Sequence, residues 1–256
     1  MVSHLVIPDT QVQPGSPTKH LKALGNYVAE TRPEVLVCIG DWADMKSLCS
    51  YDKGTKGFDS RSYKDDIESS KDAMSTFFSP IHKLQARQKK AHREVYNPKK
   101  ILTLGNHENR ITVALNKDFS RLAGLIGVEN LEYKRFGWEV VPYLEYKVID
   151  GVTYSHFIMN DFSGTAKASM KAAVEKVLGS VTCGHKQILD VHTQPNPKTG
   201  KTVWGIQAGS YYTHQEDYKE AQGNIHWRGI IHKFGVKEGD FNPLFLNVDY
   251  MLENYL

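Results

Sequence analysis

Short apolar runs alternate with longer amphipathic segments in the first half of the chain. The runs at 5–7, 35–39 and 101–104 have the length and composition of buried strands. Between the first two, residues 18–31 follow a helical pattern that begins at a capping threonine, Thr18. A strand, a helix and a strand in this order predict a parallel pair joined by a right-handed crossover.

A second helical pattern runs from Lys64 to Val95, where apolar residues recur three or four positions apart. A proline inside it, Pro80, predicts a bend or break, because proline lacks the backbone N–H that a helix interior needs. The polar stretch at 50–62 predicts a surface loop. Residues from about 46 to 100 are therefore interpreted as a helical, partly basic insertion.

The remainder of the chain reads mainly as strands with three further helices. Helices are predicted at 111–115, 119–126 and 165–178. Strands are predicted at 138–141, 143–149, 152–156, 181–183, 187–193, 201–208, 225–234 and 244–249. This pattern predicts one α/β domain over 1–256, in which two packed sheets are flanked by helices.

Polar side chains stand just beyond five of the apolar runs. They are Asp9, Asp41, the pair Asn106 and His107, His156, and His185. Open α/β sheets bind ligands beyond the carboxyl ends of their strands, so these side chains are expected to lie together. Oxygen and imidazole donors without thiolates suit Mn²⁺, Fe, Zn²⁺ or Mg²⁺.

Five motifs in this order resemble the signature of the calcineurin-like metallophosphoesterases. The motifs are Asp9-Thr10-Gln11, Gly40-Asp41-Trp42-Ala43-Asp44, Gly105-Asn106-His107-Glu108, His156, and Gly184-His185-Lys186-Gln187. The family includes phosphoprotein phosphatases, cyclic-nucleotide phosphodiesterases and nucleases of the SbcD type, and the chain is also similar to its stand-alone members encoded by tailed phages. It departs from the family pattern at Gln11 and Gln187, where histidines are usual.

The resemblance implies a four-layer α-β-β-α sandwich and two divalent metal ions. Mn²⁺ is the leading candidate, and Mg²⁺, Fe and Zn²⁺ stay open. By family roles, the first metal site would consist of Asp9, Gln11 and Gln187, the second of Asn106, His156 and His185, and Asp41 would bridge them. The two ions would acidify a bridging water, which then attacks the phosphorus.

The resemblance also implies roles for residues that do not bind metal. His107 would protonate the leaving oxygen, and Asp44 would orient it, although Asp44 could instead cap the following helix. Arg110 is a candidate phosphate contact, with pairing to Glu108 or a helix start as the alternative.

The two glutamines predict an asymmetric metal pair. An amide oxygen is a weaker donor than imidazole, so the first site would bind Mn²⁺ or Mg²⁺ loosely, while the second retains Mn²⁺, Fe or Zn²⁺. Two other histidines, His4 and His192, are alternative sources of a missing ligand, although a single histidine near a strand is more often structural.

Composition agrees with a globular cytoplasmic protein. Hydrophobic residues make up 40% of the 256 residues and charged residues 24%. No apolar window is long enough for a membrane span, and no leader pattern opens the sequence. Three scattered cysteines, Cys38, Cys49 and Cys183, predict packed reduced thiols rather than disulfides.

The formal net charge of +3 neither requires nor excludes nucleic acid, so the distribution of charge matters more. A basic run from Lys83 to Lys100 contains Lys89, Lys90 and Arg93. It is either a solvated helix face or a surface that follows phosphates beside the site.

The leading interpretation is a metal-dependent phosphodiesterase or nuclease that acts on nucleic acid or nucleotides. The alternative is a phosphomonoesterase, including a protein phosphatase, although Met45-Lys46 breaks the phosphatase pattern after Asp44. A third interpretation is a catalytically weak binding scaffold. The physiological substrate and the oligomeric state stay open.

Overall fold

Two mixed β-sheets form the centre of the computed structural model, which describes residues 2–49, 60–215 and 226–256. The six strands of the first sheet are β1 (His4–Ile7), β2 (Val35–Cys38), β3 (Lys99–Thr103), β4 (Glu139–Val141), β10 (Gly229–Lys237) and β11 (Asp240–Asn247). Their order is β11-β10-β1-β2-β3-β4. Strands β1 to β4 are parallel, and β10 is antiparallel to both β1 and β11.

The second sheet has five strands. They are β5 (Lys147–Ile149), β6 (Val152–Tyr154), β7 (Ser180–Cys183), β8 (Leu189–Pro195) and β9 (Thr202–Ala208). Their order is β5-β6-β7-β9-β8, with β6, β7 and β9 parallel and an antiparallel strand at each edge. The carboxyl ends of β6 and β7 therefore lie at one edge of this sheet.

Helices cover the outer faces of both sheets. They are α1 (Lys19–Thr31), α2 (Tyr63–Lys90), α3 (Asn106–Lys117), α4 (Phe119–Leu122), α5 (Met170–Val177) and α6 (Val248–Tyr255). Apolar residues of α1, α2 and α6 share a core with the first sheet, and those of α5 share one with β7. The predicted α/β fold, a four-layer α-β-β-α sandwich of two mixed sheets, is therefore confirmed. None of the described helices has the length and apolar character to cross a membrane.

The layer between the sheets explains why the central strands are continuous apolar runs. Val6 and Val37 of the first sheet pack in one cluster with Val152 and Ile206 of the second. The opposite faces of the same strands meet the helices, and every residue of β1 and β2 is buried. Parallel strands covered on both faces need apolar residues at successive positions, which is the pattern that the sequence shows.

Helix α2 is continuous, although the sequence predicted a bend or break at Pro80. Pro80 lies inside α2, which runs unbroken and ends at Lys90 rather than at Val95. Helix α1 packs closely against α2 at this point. A β-carbon added to Gly25 of α1 would lie only 2.2 Å from the Phe77 oxygen and 3.0 Å from Pro80 Cδ. Packing across this contact offsets the cost of the proline, so the helix continues.

Other predicted boundaries shift for local reasons. The helix predicted at 165–178 begins only at Met170, because Ser169 caps it and the preceding residues pair as a hairpin through Met159 and Ala166. Helix α3 begins earlier than predicted, at Asn106. Most of the loop predicted at 50–62 lies outside the described residues.

The three cysteines are free thiols in the structure. Cys38, Cys49 and Cys183 are all buried, as the sequence predicted. Burial raises the pKa of the Cys183 thiol to about 12, so this side chain stays protonated and packs as a small apolar group.

Candidate metal centre

The loops beyond the carboxyl ends of several strands bring polar side chains together. Asp41 follows β2, Asn106 follows β3, and His156 and His185 follow β6 and β7 of the other sheet. One ligand atom from each of Asp41, His156 and His185 lies within 4.8 Å of the other two. The cluster therefore spans both sheets.

Spacing within the cluster is that of ligands around one ion. The Asn106 Oδ1 atom lies 2.9 Å from His156 Nε2 and 2.8 Å from His185 Nδ1. The Asp41 Oδ2 atom lies 3.3 Å from His156 Nε2. Ligands at about 2.1 Å from a metal in octahedral or tetrahedral geometry are about 3.0–3.4 Å apart. The four donors therefore fit a single divalent ion.

Hydrogen bonding fixes the tautomer of His156. Its Nδ1 atom lies 2.8 Å from the Ile39 carbonyl oxygen, which can only accept, so Nδ1 carries the proton. Nε2 is therefore the nitrogen that faces Asn106 and Asp41, and it can bind a metal ion in place of its own proton. Histidine ligands of metals are commonly held in this way by a carbonyl behind the ring.

Electrostatics in the cluster favours positive charge beside Asp41. Burial opposes the protonation of His156, but the Asp41 carboxylate outweighs it and raises the pKa of His156 to about 10. Burial raises the pKa of Asp9 to about 7. For His185, burial and the neighbouring His156 lower the pKa to about 4. A divalent cation would compete with the His156 proton, so metal affinity should rise with pH.

Backbone conformation marks the predicted ligands as unusual. Gln11, Asp41, His185 and Gln187 all have positive φ, at 42°, 51°, 77° and 59°. For residues other than glycine this conformation costs on the order of 1–3 kcal/mol each, and such residues concentrate at functional sites. The two glutamines share this conformation with Asp41 and His185, and both are buried.

Glu108 organises the backbone of the centre, a role that the sequence analysis missed. Its Oε2 atom accepts from the N–H groups of Asp41 at 3.0 Å and Gly105 at 2.9 Å. Its Oε1 atom accepts from the Ala43 N–H at 3.0 Å and the Tyr133 hydroxyl at 3.1 Å. One buried carboxylate therefore joins the loops after β2 and β3, and it does not pair with Arg110.

Two glycines allow these loops to approach each other. Gly40 has φ of +90°, which favours glycine, and a β-carbon there would lie 2.8 Å from His156 Nδ1. A β-carbon on Gly105 would lie 2.0 Å from Asp41 Oδ1. The same Asp41 oxygen accepts from the His107 N–H at 2.9 Å, so the approach places Asp41 against the start of α3.

His107 and Asp44 form a hydrogen-bonded pair beside the donor cluster. His107 Nδ1 lies 2.7 Å from Asp44 Oδ1, and its Nε2 lies 3.7 Å from Asp41 Oδ2. The Arg110 guanidinium donates to the Asp44 carbonyl at 2.7 Å and approaches His107 Nε2 at 3.3 Å. Burial disfavours the imidazolium, but Asp41 and Asp44 together raise the pKa of His107.

The residues predicted for a first metal site have protein partners of their own. The Asp9 carboxylate accepts from the His185 N–H, at 3.1 and 3.0 Å from its two oxygens. The Gln187 Oε1 atom accepts from the Tyr212 hydroxyl at 3.1 Å. Gln11 is buried, and its backbone N–H donates to the Asp41 carbonyl at 2.8 Å.

The two alternative histidines do not join the cluster. His4 is hydrogen-bonded through Nδ1 to Tyr154 at 2.8 Å and through Nε2 to Asp150 at 2.9 Å. His192 Nε2 lies 3.2 Å from Gln194 Oε1. Each ring is occupied by a structural contact.

The basic residues of the predicted phosphate-following surface lie away from the donor cluster. Lys89 and Lys90 end α2 and, like Arg93, are exposed. The chain then reaches the amino end of β3, where the Lys99 N–H donates to the Glu34 carbonyl at 2.9 Å. Asn106 follows the opposite, carboxyl end of the same strand. The three cations therefore precede the amino end of β3, whereas the donor cluster lies beyond its carboxyl end.

An aromatic wall, unnoticed in the sequence, borders the cluster. The Phe157 ring lies 4.7 Å from the His185 ring and 6.0 Å from the Tyr143 ring, centroid to centroid. Burial and the negative charge of Asp41 raise the pKa of Tyr143 to about 12, so its hydroxyl stays protonated. No signal in the sequence places Tyr143 here, because it follows β4 and lacks a motif.

Comparisons with known proteins give relatives of two kinds. No protein-family model matches the sequence. Among solved structures, two crystal structures of Vps29 from Entamoeba histolytica, one a Zn²⁺ complex and one a double mutant, match at 10% and 11% identity. Both alignments cover 96% of this chain and 99% of the other, with TM-scores of 0.42 and 0.41.

The second group of matches consists of two proteins that are similar in sequence. The gene 54 proteins of Mycobacterium phage L5 and Mycobacterium phage D29 are each 29% identical to this chain over 214 residues. The aligned part is 80% of this chain and 78% of each phage protein. The chain is thus similar, over four-fifths of its length, to a protein that two mycobacteriophages carry.

Proposed function

We propose that the chain is a metal-dependent phosphoesterase of the calcineurin-like type that hydrolyses phosphodiesters. The observation that carries this proposal is the donor cluster of Asp41, Asn106, His156 and His185, with the His107–Asp44 pair beside it. Phosphate ester hydrolysis needs a cation that activates water and an acid that protonates the leaving oxygen. The cluster can supply the cation, and His107 can supply the acid. The order of the five motifs and the four-layer fold support the same assignment.

The bound ion would supply Lewis acidity, lowering the pKa of a water and neutralising phosphate oxygens. The chain supplies the remaining parts of the reaction. The Asp44 carboxylate holds His107 by its Nδ1 atom, and Nε2 accepts from the Arg110 guanidinium. Once Nε2 is protonated and this bond gives way, it can donate that proton to the leaving oxygen. Arg110 lies 3.3 Å from that same nitrogen and can bind a phosphate oxygen beside it.

The charges near the site favour a diester over a monoester. A phosphomonoester carries about two negative charges near pH 7, and a diester carries one. Two cations lie near the Asp44 carboxylate, Arg110 at 3.3 Å and Lys46 at 3.9 Å. Much of the local positive charge is therefore already balanced, which suits the less charged ester.

Turnover of two small substrates tests this proposal. With Mn²⁺ present, bis(p-nitrophenyl) phosphate should be hydrolysed at least about 10-fold more efficiently than p-nitrophenyl phosphate, and EDTA should abolish both activities. Faster turnover of the monoester would favour the phosphatase alternative. Metal binding without turnover of either compound would favour the scaffold alternative.

We further propose one firmly held ion at the histidine-containing site and a weaker one at the glutamine-containing site. Titration of the metal-free protein with Mn²⁺ should show one strong and one weak event. The double variant Gln11→His with Gln187→His should strengthen the weak event by about 10-fold or more, since imidazole is the better donor. A matched control is Asn254→His, which replaces an exposed amide on α6 whose side chain donates to the Tyr250 carbonyl of its own helix. Two equal strong events in the unmodified protein would contradict the asymmetry.

For the basic residues at the end of α2, we propose a restricted role. Lys89, Lys90 and Arg93 would contact only remote phosphates of a long polyanion, because they precede the amino end of β3. Small diesters would not reach them.

A further inference from the structure

The segment that follows His156 folds back on itself as a short hairpin, residues 158–167, named here the Phe162 hairpin. The Lys167 N–H donates to the Ile158 carbonyl at 2.8 Å, and the Asn160 N–H donates to the Thr165 carbonyl at 2.7 Å. Phe162 lies at the tip, and its relative exposure is 101%, the largest among the exposed large hydrophobic residues. The hairpin therefore presents an aromatic ring to solvent, in the segment that directly follows His156.

Two lysines outside the hairpin hold it in place. The Lys186 ammonium, between His185 and Gln187 in the chain, donates to the carbonyls of Lys167 at 2.6 Å and Ala168 at 2.8 Å. The Lys176 ammonium donates to the Met159 carbonyl at 2.6 Å and the Asp161 carboxylate at 2.5 Å. The base of the hairpin is thus tied directly to the loop that carries His185.

The length of the hairpin sets how far Phe162 can lie from the cluster. Ile158, at its base, is buried two residues after His156. Four further residues at about 3.3 Å each place the backbone of Phe162 about 13 Å from Ile158 at most. Stacked nucleotides rise about 3.4 Å each along one strand, so this distance corresponds to about three or four nucleotides. A base close to the cleaved phosphate is therefore within reach.

Charge on the hairpin fits a polyanion that carries aromatic groups. The negative charge of Asp161 is balanced by Lys176. The Lys167 ammonium forms no ion pair with any residue in the described ranges, so a cation remains at the base of the hairpin, on the side of the loop that carries His185. An aromatic ring at the tip and a cation at the base together can bind single-stranded nucleic acid, by stacking on a base and contacting a phosphate between that base and the centre.

We propose that Phe162 stacks on a nucleobase of single-stranded nucleic acid whose cleaved phosphate lies at the metal centre, with Lys167 contacting an adjacent phosphate. The inference rests on the proposed function and names its substrate class. Stacking of this kind is tolerant of sequence, because every base has a π-face. The subsite binds substrate and takes no part in bond breaking.

Equilibrium binding with Mn²⁺ present, and with His107→Ala introduced into every protein compared, tests the subsite with the metal centre intact and turnover suppressed. A fluorescein-labelled single-stranded DNA of about 12 nucleotides should bind Phe162→Ala about 5- to 30-fold more weakly than the unmodified protein, because one stacking contact is lost. The variant Phe162→Trp should restore affinity to within about 2-fold. The matched control is Phe119→Ala, since Phe119 is a 64% exposed phenylalanine on α4. An abasic strand should bind Phe162→Ala and the unmodified protein equally.

Three outcomes would overturn the inference. They are no binding of the strand by the unmodified protein, equal binding by Phe162→Ala, and equal weakening by Phe119→Ala. Hydrolysis of bis(p-nitrophenyl) phosphate with Mn²⁺, measured in parallel, reports on the proposed function separately. Binding that depends on Phe162 without any hydrolysis would uphold the subsite and reject the enzyme.

Discussion

Replacing His107 by alanine is expected to lower kcat for a phosphodiester by about 10²- to 10⁴-fold, the usual contribution of a positioned general acid. The Asp44 carboxylate holds Nδ1 of this ring at 2.7 Å, and Nε2 lies 3.7 Å from Asp41 on the side of the donor cluster. Removal of the ring leaves the leaving oxygen without a proton donor. Steady-state hydrolysis of bis(p-nitrophenyl) phosphate with saturating Mn²⁺ measures the effect.

Two comparisons separate proton donation from damage to the metal site. Since His107 is not among the four clustered donors, the alanine variant should bind Mn²⁺ as the unmodified protein does. Asp44→Asn should lower kcat less than His107→Ala does, because the His107 imidazole stays in place but is less basic. The variant His82→Ala, at an exposed histidine of α2, should leave both kcat and Mn²⁺ binding unchanged. Full activity of the His107 variant with metal bound would remove this residue from the reaction.

Replacing Glu108 by alanine is expected to lower the free energy of unfolding by about 3 kcal/mol or more. The substitution leaves the N–H groups of Asp41, Ala43 and Gly105 without their acceptor inside the protein. Each buried donor left unpaired costs about 1–3 kcal/mol, unless water reaches it. Because the same bonds hold Asp41 against the start of α3, Mn²⁺ affinity should fall as well. Urea denaturation and Mn²⁺ titration measure the two effects.

The matched control for this variant is Glu94→Ala, an exposed glutamate beyond α2. It should change the free energy of unfolding by less than about 0.5 kcal/mol. Glu108→Gln should lie between the two, since its amide keeps one acceptor oxygen but places an NH₂ group against backbone donors. A Glu108→Ala protein as stable as the unmodified one would show that other groups hold these loops.

The sequence predicts the parts of this molecule whose cause is local. Runs such as 35–39 are apolar because β2 is covered on both faces, and the polar residue at the end of each run follows from the same geometry. The parallel order of β1, β2 and β3 follows from the crossover rule. The fold class could therefore be predicted from local patterns. The convergence of Asp41, Asn106, His156 and His185 joins two sheets, and it was predicted from the order of the five motifs.

Features that depend on distant partners could not be predicted. A glutamate three residues after Gly105 indicates a helix start, but no sequence pattern tells which other N–H groups it will accept from. Tyr143 has no motif, and its place beside Phe157 depends on how the two sheets pack. The continuity of α2 through Pro80 likewise depends on the contact with Gly25.

The position of the basic residues was within reach of sequence reasoning. A helix that precedes a strand delivers its last turn to the amino end of that strand, so Lys89 and Lys90 had to lie opposite Asn106 once α2 and β3 were assigned. The charge run by itself does not tell at which end of the strand the charges lie. Order along the chain, rather than composition, locates a charged surface relative to a site.

The four clustered donors lie between residues 41 and 185 of the chain, and the bond between the His185 N–H and the Asp9 carboxylate joins residues 176 positions apart. Contacts of such long range form late in folding, because closing a long loop loses chain entropy before the contact contributes any free energy. During synthesis, a chain that has not yet released β7 from the ribosome lacks His185 altogether. Metal binding by the four donors should therefore require the chain through β7, and a chain stalled earlier should lack His185 and bind Mn²⁺ more weakly.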